Sequence, residues 1–342
     1  MKLLPATAPR DRASTRLLHV DPRAGSVEHT ALSALPALVE PGDLVIVNDA
    51  ATLPAALRLT SHDAELRLAA HAPDGAFHAV VLGAGTWRTP TEARGRAPTL
   101  RAGERVASGE LTATVIAVDA SEPALVTLKF EQTGAAFERA LYARGKVIQY
   151  SYLSLPLELW DVQSRFSGRP WAFEPPSAGL GLSFELITEL RGRGVEVAAL
   201  SHAAGLSSTG SASLDRRLPL PERYEIPETT RVALERARAQ GGRIVAVGTT
   251  VVRALESSAL VHGAVQAGTG EARLVIGPGF RPRVVDGLLT GMHAPGTSHF
   301  SLLRAFAARE LLERALAAAA RAGYLEHEFG DACLVLPRRG AP

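Results

Sequence analysis

The chain has one cysteine, Cys333, so it can form neither an internal disulfide nor a cysteine zinc site, and it fits a reducing compartment. Lysine is confined to Lys2, Lys129 and Lys146, and Asn48 is the sole asparagine. Arginine supplies nearly all the basic charge, the mark of a GC-rich coding bias, so its abundance does not point to a polyanion. The formal net charge is only +2, which permits nucleic-acid binding without indicating it. No apolar run approaches membrane-spanning length, and the opening MKLLPATAPRDRAS lacks the apolar core of a signal peptide. None of the ten histidines falls in a ligand spacing such as HExxH, so no metal is expected. No internal repeat is visible. These absences predict a cytoplasmic protein with no membrane partner, monomer or homodimer. Its 342 residues suffice for one large domain or two ordinary ones.

The stretch 241–258, GGRIVAVGTTVVRALESS, organises the rest. Its β-branched run is long enough for a buried strand and too short for a helix. Gly248 breaks the run, and Thr249 and Thr250 are N-cap candidates for a helix over 251–260. A strand that stops at glycine and feeds a helix leaves free backbone N–H groups, a geometry suited to a carboxylate or phosphate. Arg253 and Glu256 share a face of that helix. The plainer reading is a threonine-capped strand–helix unit with a surface Arg253–Glu256 pair, because the block is neither a P-loop nor a dinucleotide glycine motif.

Other apolar runs predict strands that deliver polar residues at their ends. The run at 43–47 leads to Asn48 and Asp49, that at 195–200 to Ser201 and His202, and that at 284–289 to Thr290 and His293. Asn and Asp are also ordinary turn starters, and a lone histidine at a strand end is more often structural. The pattern further predicts helices at 32–40, 137–144, 184–191 and 228–240, and a long one at 300–322 that opens at Ser298. Strands are expected at 15–20, 273–276 and 332–336, a flexible loop at 205–221, and an aromatic lid or loop at 145–174.

Between about 60 and 130 the pattern changes to short alternating strands at 64–70, 76–81, 110–118 and 124–130, separated by turns such as Pro73-Asp74-Gly75. The expectation is a mixed α/β catalytic domain over 1–59 and 131–342, interrupted by a small β-barrel domain at 60–130. Trp87, in the polar loop 83–105, either stacks on a base or anchors its own loop, the second being the commoner use.

Five segments, PGDLVIVNDAATLPA, EPPSAGLGLSFELITELRGRGVEVAALSH, IVAVGTTVVRALES, VVDGLLTGMHAPGTS and FGDACLVL, resemble the S-adenosylmethionine:tRNA ribosyltransferase-isomerase family of queuosine biosynthesis. They follow the family's order and span nearly the whole chain. The resemblance implies an α/β catalytic domain with an inserted β-barrel and S-adenosylmethionine as co-substrate. It also implies tRNA carrying 7-aminomethyl-7-deazaguanine as partner. In that chemistry the sulfonium acidifies the 5′ carbon, a base removes its proton and adenine is expelled. The deazaguanine amine attacks the sugar, and methionine leaves as a cyclopentane epoxide closes. The reaction needs a general base, a proton donor for adenine and fixed charges around the methionine end.

On this resemblance His202, His293 and Asp286 are the catalytic candidates. Gly248, Thr249, Thr250, Arg253, Glu256, Ser177, Ala178 and Gly179 are candidates for holding S-adenosylmethionine. Asn48, Asp49 and Thr290 are candidates for the acceptor. The family pattern is broken where Gly181-Leu182 replaces His-Phe, where Ala51 and Ala56 replace arginines and where Gly291 replaces asparagine. Two further readings stay open: another acceptor or simple cleavage of S-adenosylmethionine, and a non-catalytic binding protein on the same fold.

Overall fold

The computed structural model describes residues 2–339. Its largest sheet has nine strands, and the four at the centre are parallel: Glu196–His202, Leu44–Asn48, Ile244–Val247 and Gly287–Gly291. Glu222–Ile226 and Gly268–Ala272 extend one side antiparallel. On the other side Ala332–Val335 runs antiparallel to Gly287–Gly291, Arg16–Asp21 is parallel to it, and Ser26–Ala31 closes the edge. Leu44 and Ile46 face one apolar cluster while Val45 and Val47 face another. Both faces are therefore buried, which is why the run reads as continuously apolar instead of alternating. Parallel alignment brings the C-terminal ends of all four central strands to one edge, where Asn48, His202, Gly248 and Thr290 to His293 lie together.

A second sheet of six antiparallel strands runs from Ala56 to Phe130, in the order Ala56–Arg58, Glu65–His71, Phe77–Leu82, Leu125–Phe130, Leu111–Val118 and Arg105–Ser108. The two predicted hairpins are present, with Asp74 (φ 58°) and Gly75 (φ 70°) making the first turn. Its outer strands curl towards each other until Thr60 N donates to Ala107 O at 2.8 Å, so the sheet is barrel-like and nearly closed. The short strands Ala56–Arg58 and Arg105–Ser108 carry too few residues for an alternating signal.

Several predicted elements change once packing acts. The 300–322 helix divides into Ser298–Leu303 and Arg309–Arg321, because Leu302, Leu303 and Ala307 all bury in the core and turn the chain. It opens at Ser298 as expected, and its cap is Thr297, whose Oγ1 accepts from Phe300 N at 3.1 Å. The 32–40 helix is a 3-10 segment, Leu32–Ala37, with Pro36 inside it. The 273–276 strand is replaced by Gly268–Ala272, whose glycines hide it in the sequence. The 205–221 loop is ordered by Asp215, which accepts from Thr209 N at 2.6 Å, and by Leu206 and Leu214 in the barrel core. Trp87 is half-buried against an apolar cluster, with the Arg88 guanidinium 4.4 Å from its ring, and so anchors its loop. Among the described residues no helix is long and apolar enough to cross a membrane.

Candidate active site

At the C-terminal edge of the parallel strands lies a cavity of about 130 Å³, open to solvent. Its walls come from six separate segments: Glu174 to Ala178, Ala204 to Ser207, Leu218 to Glu222, Gly248 to Arg253, Leu274 to Ile276, and Thr290 with His293 and His299. The helix Thr249–His262 points its N-terminus at the cavity. Gly248, at φ 95°, is its N-cap and makes no side-chain bond; a residue with a Cβ would be strained there. The threonines are thus not the caps predicted for them, and the first-turn N–H groups stay available at the cavity wall.

Thr250 has a different task. Its Oγ1 accepts from Asn48 Nδ2 at 3.2 Å, and the same Nδ2 donates to His202 O at 2.9 Å. Asn48 Oδ1 accepts from Ala50 N at 3.0 Å and His202 N at 2.9 Å. The chain's only asparagine therefore uses both donors and both lone pairs to tie two strands to the helix start. Asn48→Asp turns a donor into an acceptor facing the His202 carbonyl. It is expected to cost about 1–3 kcal/mol, read by urea unfolding; a change under about 0.5 kcal/mol, the usual bound for neutral sites, would remove the bracing role.

Arg253 lines the cavity but is committed to the protein. It is 5% exposed, pairs with Glu222, and donates to Ala272 O at 2.7 Å and Leu274 O at 3.1 Å. These bonds end the Gly268–Ala272 strand. Burial lowers the guanidinium to about 10. Glu222 also accepts from Gly205 N at 2.5 Å, and its Oε2 is 3.6 Å from His202 Nε2. Nothing in PERYEIP distinguishes this glutamate beforehand; only the fold puts it under the cavity.

Three sequence-stated candidates are corrected by position. Glu256 does not reach the cavity: it is 1% exposed and accepts from the backbone N–H groups of Arg283, Val284 and Val285. Those amides are spent on it, which is why the strand begins at Gly287 and not at 284. Asp286 precedes that strand at the opposite end of the sheet, where it accepts from Ile244 N at 2.7 Å and pairs with Arg238 at 2.9 Å. His202 is fully buried behind Glu222 and Arg253 and is absent from the cavity wall, its ring nitrogens without hydrogen-bond partners among the described residues. Burial, then Arg253, hold it far below the ordinary imidazole range and so neutral. Asn48 and Asp49 brace the wall from behind, Asp49 accepting from Ser201 Oγ at 2.5 Å. Gly179 lies just beyond the wall residues Ser177 and Ala178.

His293 and His299 both line the cavity, and His293 is the one bonded to Thr290. Its Nε2 lies 2.8 Å from Thr290 Oγ1, and its ring stacks on His299 at 4.6 Å. Burial first, then His299 and His327, depress it well below the ordinary range, while burial takes His299 to about 4. Both rings are neutral at physiological pH, each able to give one proton and take another.

Glu174, unremarked in the sequence, is the wall's second carboxylate. Tyr150 OH and Ser207 N donate to it, yet burial outweighs both and raises it to about 7. The native state thus holds this proton more tightly than the unfolded chain does, so its contribution favours folding at low pH and is lost as pH rises through about 7. Glu174→Gln is expected to flatten that dependence, measured by urea unfolding between pH 5 and 8; an unchanged pH slope would remove Glu174 as its source.

A mixed α/β sheet whose four parallel central strands end at a cavity, beside a helix N-terminus, defines the class: an α/β protein with the layout that suits charged ligands at strand–helix junctions. Residues 2–335 match the family model described as queuosine biosynthesis protein. The chain belongs to that family. It is 39% identical to the S-adenosylmethionine:tRNA ribosyltransferase-isomerase of Sorangium cellulosum, with 97% of this chain and 95% of that protein aligned. It is 37% identical to the protein of the same name from Gloeobacter violaceus, over 97% and 92%. The crystal structure of the Thermotoga maritima S-adenosylmethionine tRNA ribosyltransferase superposes with a TM-score of 0.54 at 25% identity, covering 97% of this chain and 96% of that one.

Proposed function

We propose that this protein is an S-adenosylmethionine:tRNA ribosyltransferase-isomerase of queuosine biosynthesis, and that the cavity holds S-adenosylmethionine. One observation carries the assignment to this cavity: three segments that resemble the family, around Ser177–Ala178, Gly248–Arg253 and Thr290–His293, are distant in sequence and line one space. The helix N-terminus at Gly248 to Thr250 receives the methionine carboxylate on its free N–H groups. Glu174 and Glu222 are the carboxylates on the wall and take the place of Glu256 opposite the cationic groups. His293, with Thr290, passes a proton to the departing adenine or takes the one from the 5′ carbon. No metal takes part in this reading.

The 60–130 unit is an inserted domain in this proposal. Its support is the run of six antiparallel strands between Ala56 and Phe130 around an apolar core largely its own. tRNA as partner and a cytoplasmic location follow from the same reading.

The test is adenine release from S-adenosylmethionine by purified protein, with and without tRNA carrying 7-aminomethyl-7-deazaguanine. Release that depends on the modified tRNA supports the proposal. Release without it indicates another acceptor or plain cleavage. No release, together with no thermal shift at millimolar S-adenosylmethionine, overturns it.

A further inference from the structure

A second cavity, of about 310 Å³, backs onto the first and shares Ser177, Ala178 and Thr290 with it. Its acidic residues are already committed. Asp331 pairs with Arg10 at 2.5 Å and Arg16 at 2.7 Å, Glu328 accepts from Tyr152 OH, and Asp161 accepts from Glu158 N at 2.8 Å. Two cations on the same wall are not committed. Arg12 touches only the carbonyls of Asp161 and Gln163, and Arg165 is exposed; neither has a carboxylate within ion-pair distance among the described residues. On the same wall Trp160 exposes 71% of its surface, an unusual state for so large an apolar ring. A second flat ring stands on the same wall: His327, held at φ 70° and stacked on Tyr152 at 4.1 Å. Gly181 and Gly291, without side chains, also line the cavity. A Cβ on Gly181 would come within 2.5 Å of Leu32 Cδ2.

Unpaired guanidiniums with exposed aromatic faces are the chemistry of a single-stranded nucleotide site, in which cations take phosphate and rings take bases. We infer that the second cavity seats the acceptor strand of RNA, with Arg12 and Arg165 on its backbone phosphates and Trp160 stacking on a base. The shared wall then brings the nucleotide it holds to the edge of the first cavity, next to Thr290. The inference rests on the proposed ribosyl transfer, because it uses the first cavity as the S-adenosylmethionine site.

The experiment measures binding of an anticodon stem-loop carrying 7-aminomethyl-7-deazaguanine to the full chain over a range of salt, alongside the thermal shift produced by S-adenosylmethionine. Arg165→Ala is the cleaner charge variant, since Arg12 also holds the turn at 158–163. It is expected to weaken RNA binding about tenfold, the size of one charge-assisted contact. It should also lower the salt slope by about 0.7, the share of one phosphate on a single strand, with the S-adenosylmethionine shift kept. Trp160→Ala is expected to weaken binding and to abolish the fluorescence quench that RNA produces in the parent protein. Parent-like RNA affinity in both variants overturns the inference and moves the RNA elsewhere. If the parent protein binds S-adenosylmethionine but no RNA, the inference falls while the first cavity keeps its ligand; if it binds neither, the proposed function falls with it.

Discussion

Arg253→Ala is expected to cost about 3–5 kcal/mol of unfolding free energy, the usual penalty for removing one partner of a buried ion pair. The substitution strands the Glu222 carboxylate, 4% exposed, beside a neutral and equally buried His202. It also releases the carbonyls of Ala272 and Leu274 from their donor. A double-mutant cycle with Glu222→Gln separates these costs, because the paired variant no longer buries an unpaired charge. The double variant should recover part of the stability lost in Arg253→Ala, leaving the share due to the two carbonyls. Urea unfolding reads all three variants, and a loss below about 1 kcal/mol, near the centre of ordinary point mutations, would show that the pair is not holding the cavity wall. The arginine's part in ligand binding is consequently to be measured only in variants shown to be folded.

His293→Ala is expected to slow adenine release by about 10²–10⁴-fold, the usual contribution of one positioned acid or base. S-adenosylmethionine should still shift the melting temperature of the variant, since the helix N-terminus at Gly248 to Thr250 is untouched. His202→Ala supplies the contrast. That ring does not reach the cavity, so its removal acts through packing and lowers stability, with turnover per folded molecule retained. Full release by His293→Ala would remove it from proton transfer, and a collapse of turnover in a folded His202→Ala would bring that residue back. Because the His293 ring is held neutral, the rate should not follow an imidazole titration near pH 6.5; a rate that does so would contradict its environment.

Much of the scaffold was legible in advance because its signals are local. The central strands are short β-branched runs, and the 60–130 hairpins alternate around Pro73-Asp74-Gly75. The strand–glycine–helix junction at Gly248 follows from one residue's tolerance for positive φ. Where local signals failed, a distant side chain had taken the backbone's hydrogen bonds. Glu256 binds the amides at 283–285 and delays a strand, and Arg253 takes the carbonyls of Ala272 and Leu274 and ends one. Helical spacing put both on one face of one helix, and it could not say that the two would point into different parts of the core.

By itself the sequence determined the alternation of buried strands and helices, the strand-rich stretch at about 60–130, the strand–glycine–helix junction at Gly248 and the family, since composition, periodicity and contiguous motifs carry all four. Tertiary structure alone decided which polar residues meet. Parallel pairing of four strands gathers Asn48, His202, Gly248 and Thr290 at one edge, and burial then separates them, with Asn48 and His202 behind the wall and Thr290 and His293 on it. Asp286 was sent to the far end of the same sheet, and Glu222, with no local mark, was brought beneath the cavity. The reason is physical: strand direction and burial depth depend on residues hundreds of positions apart, and no local pattern contains them.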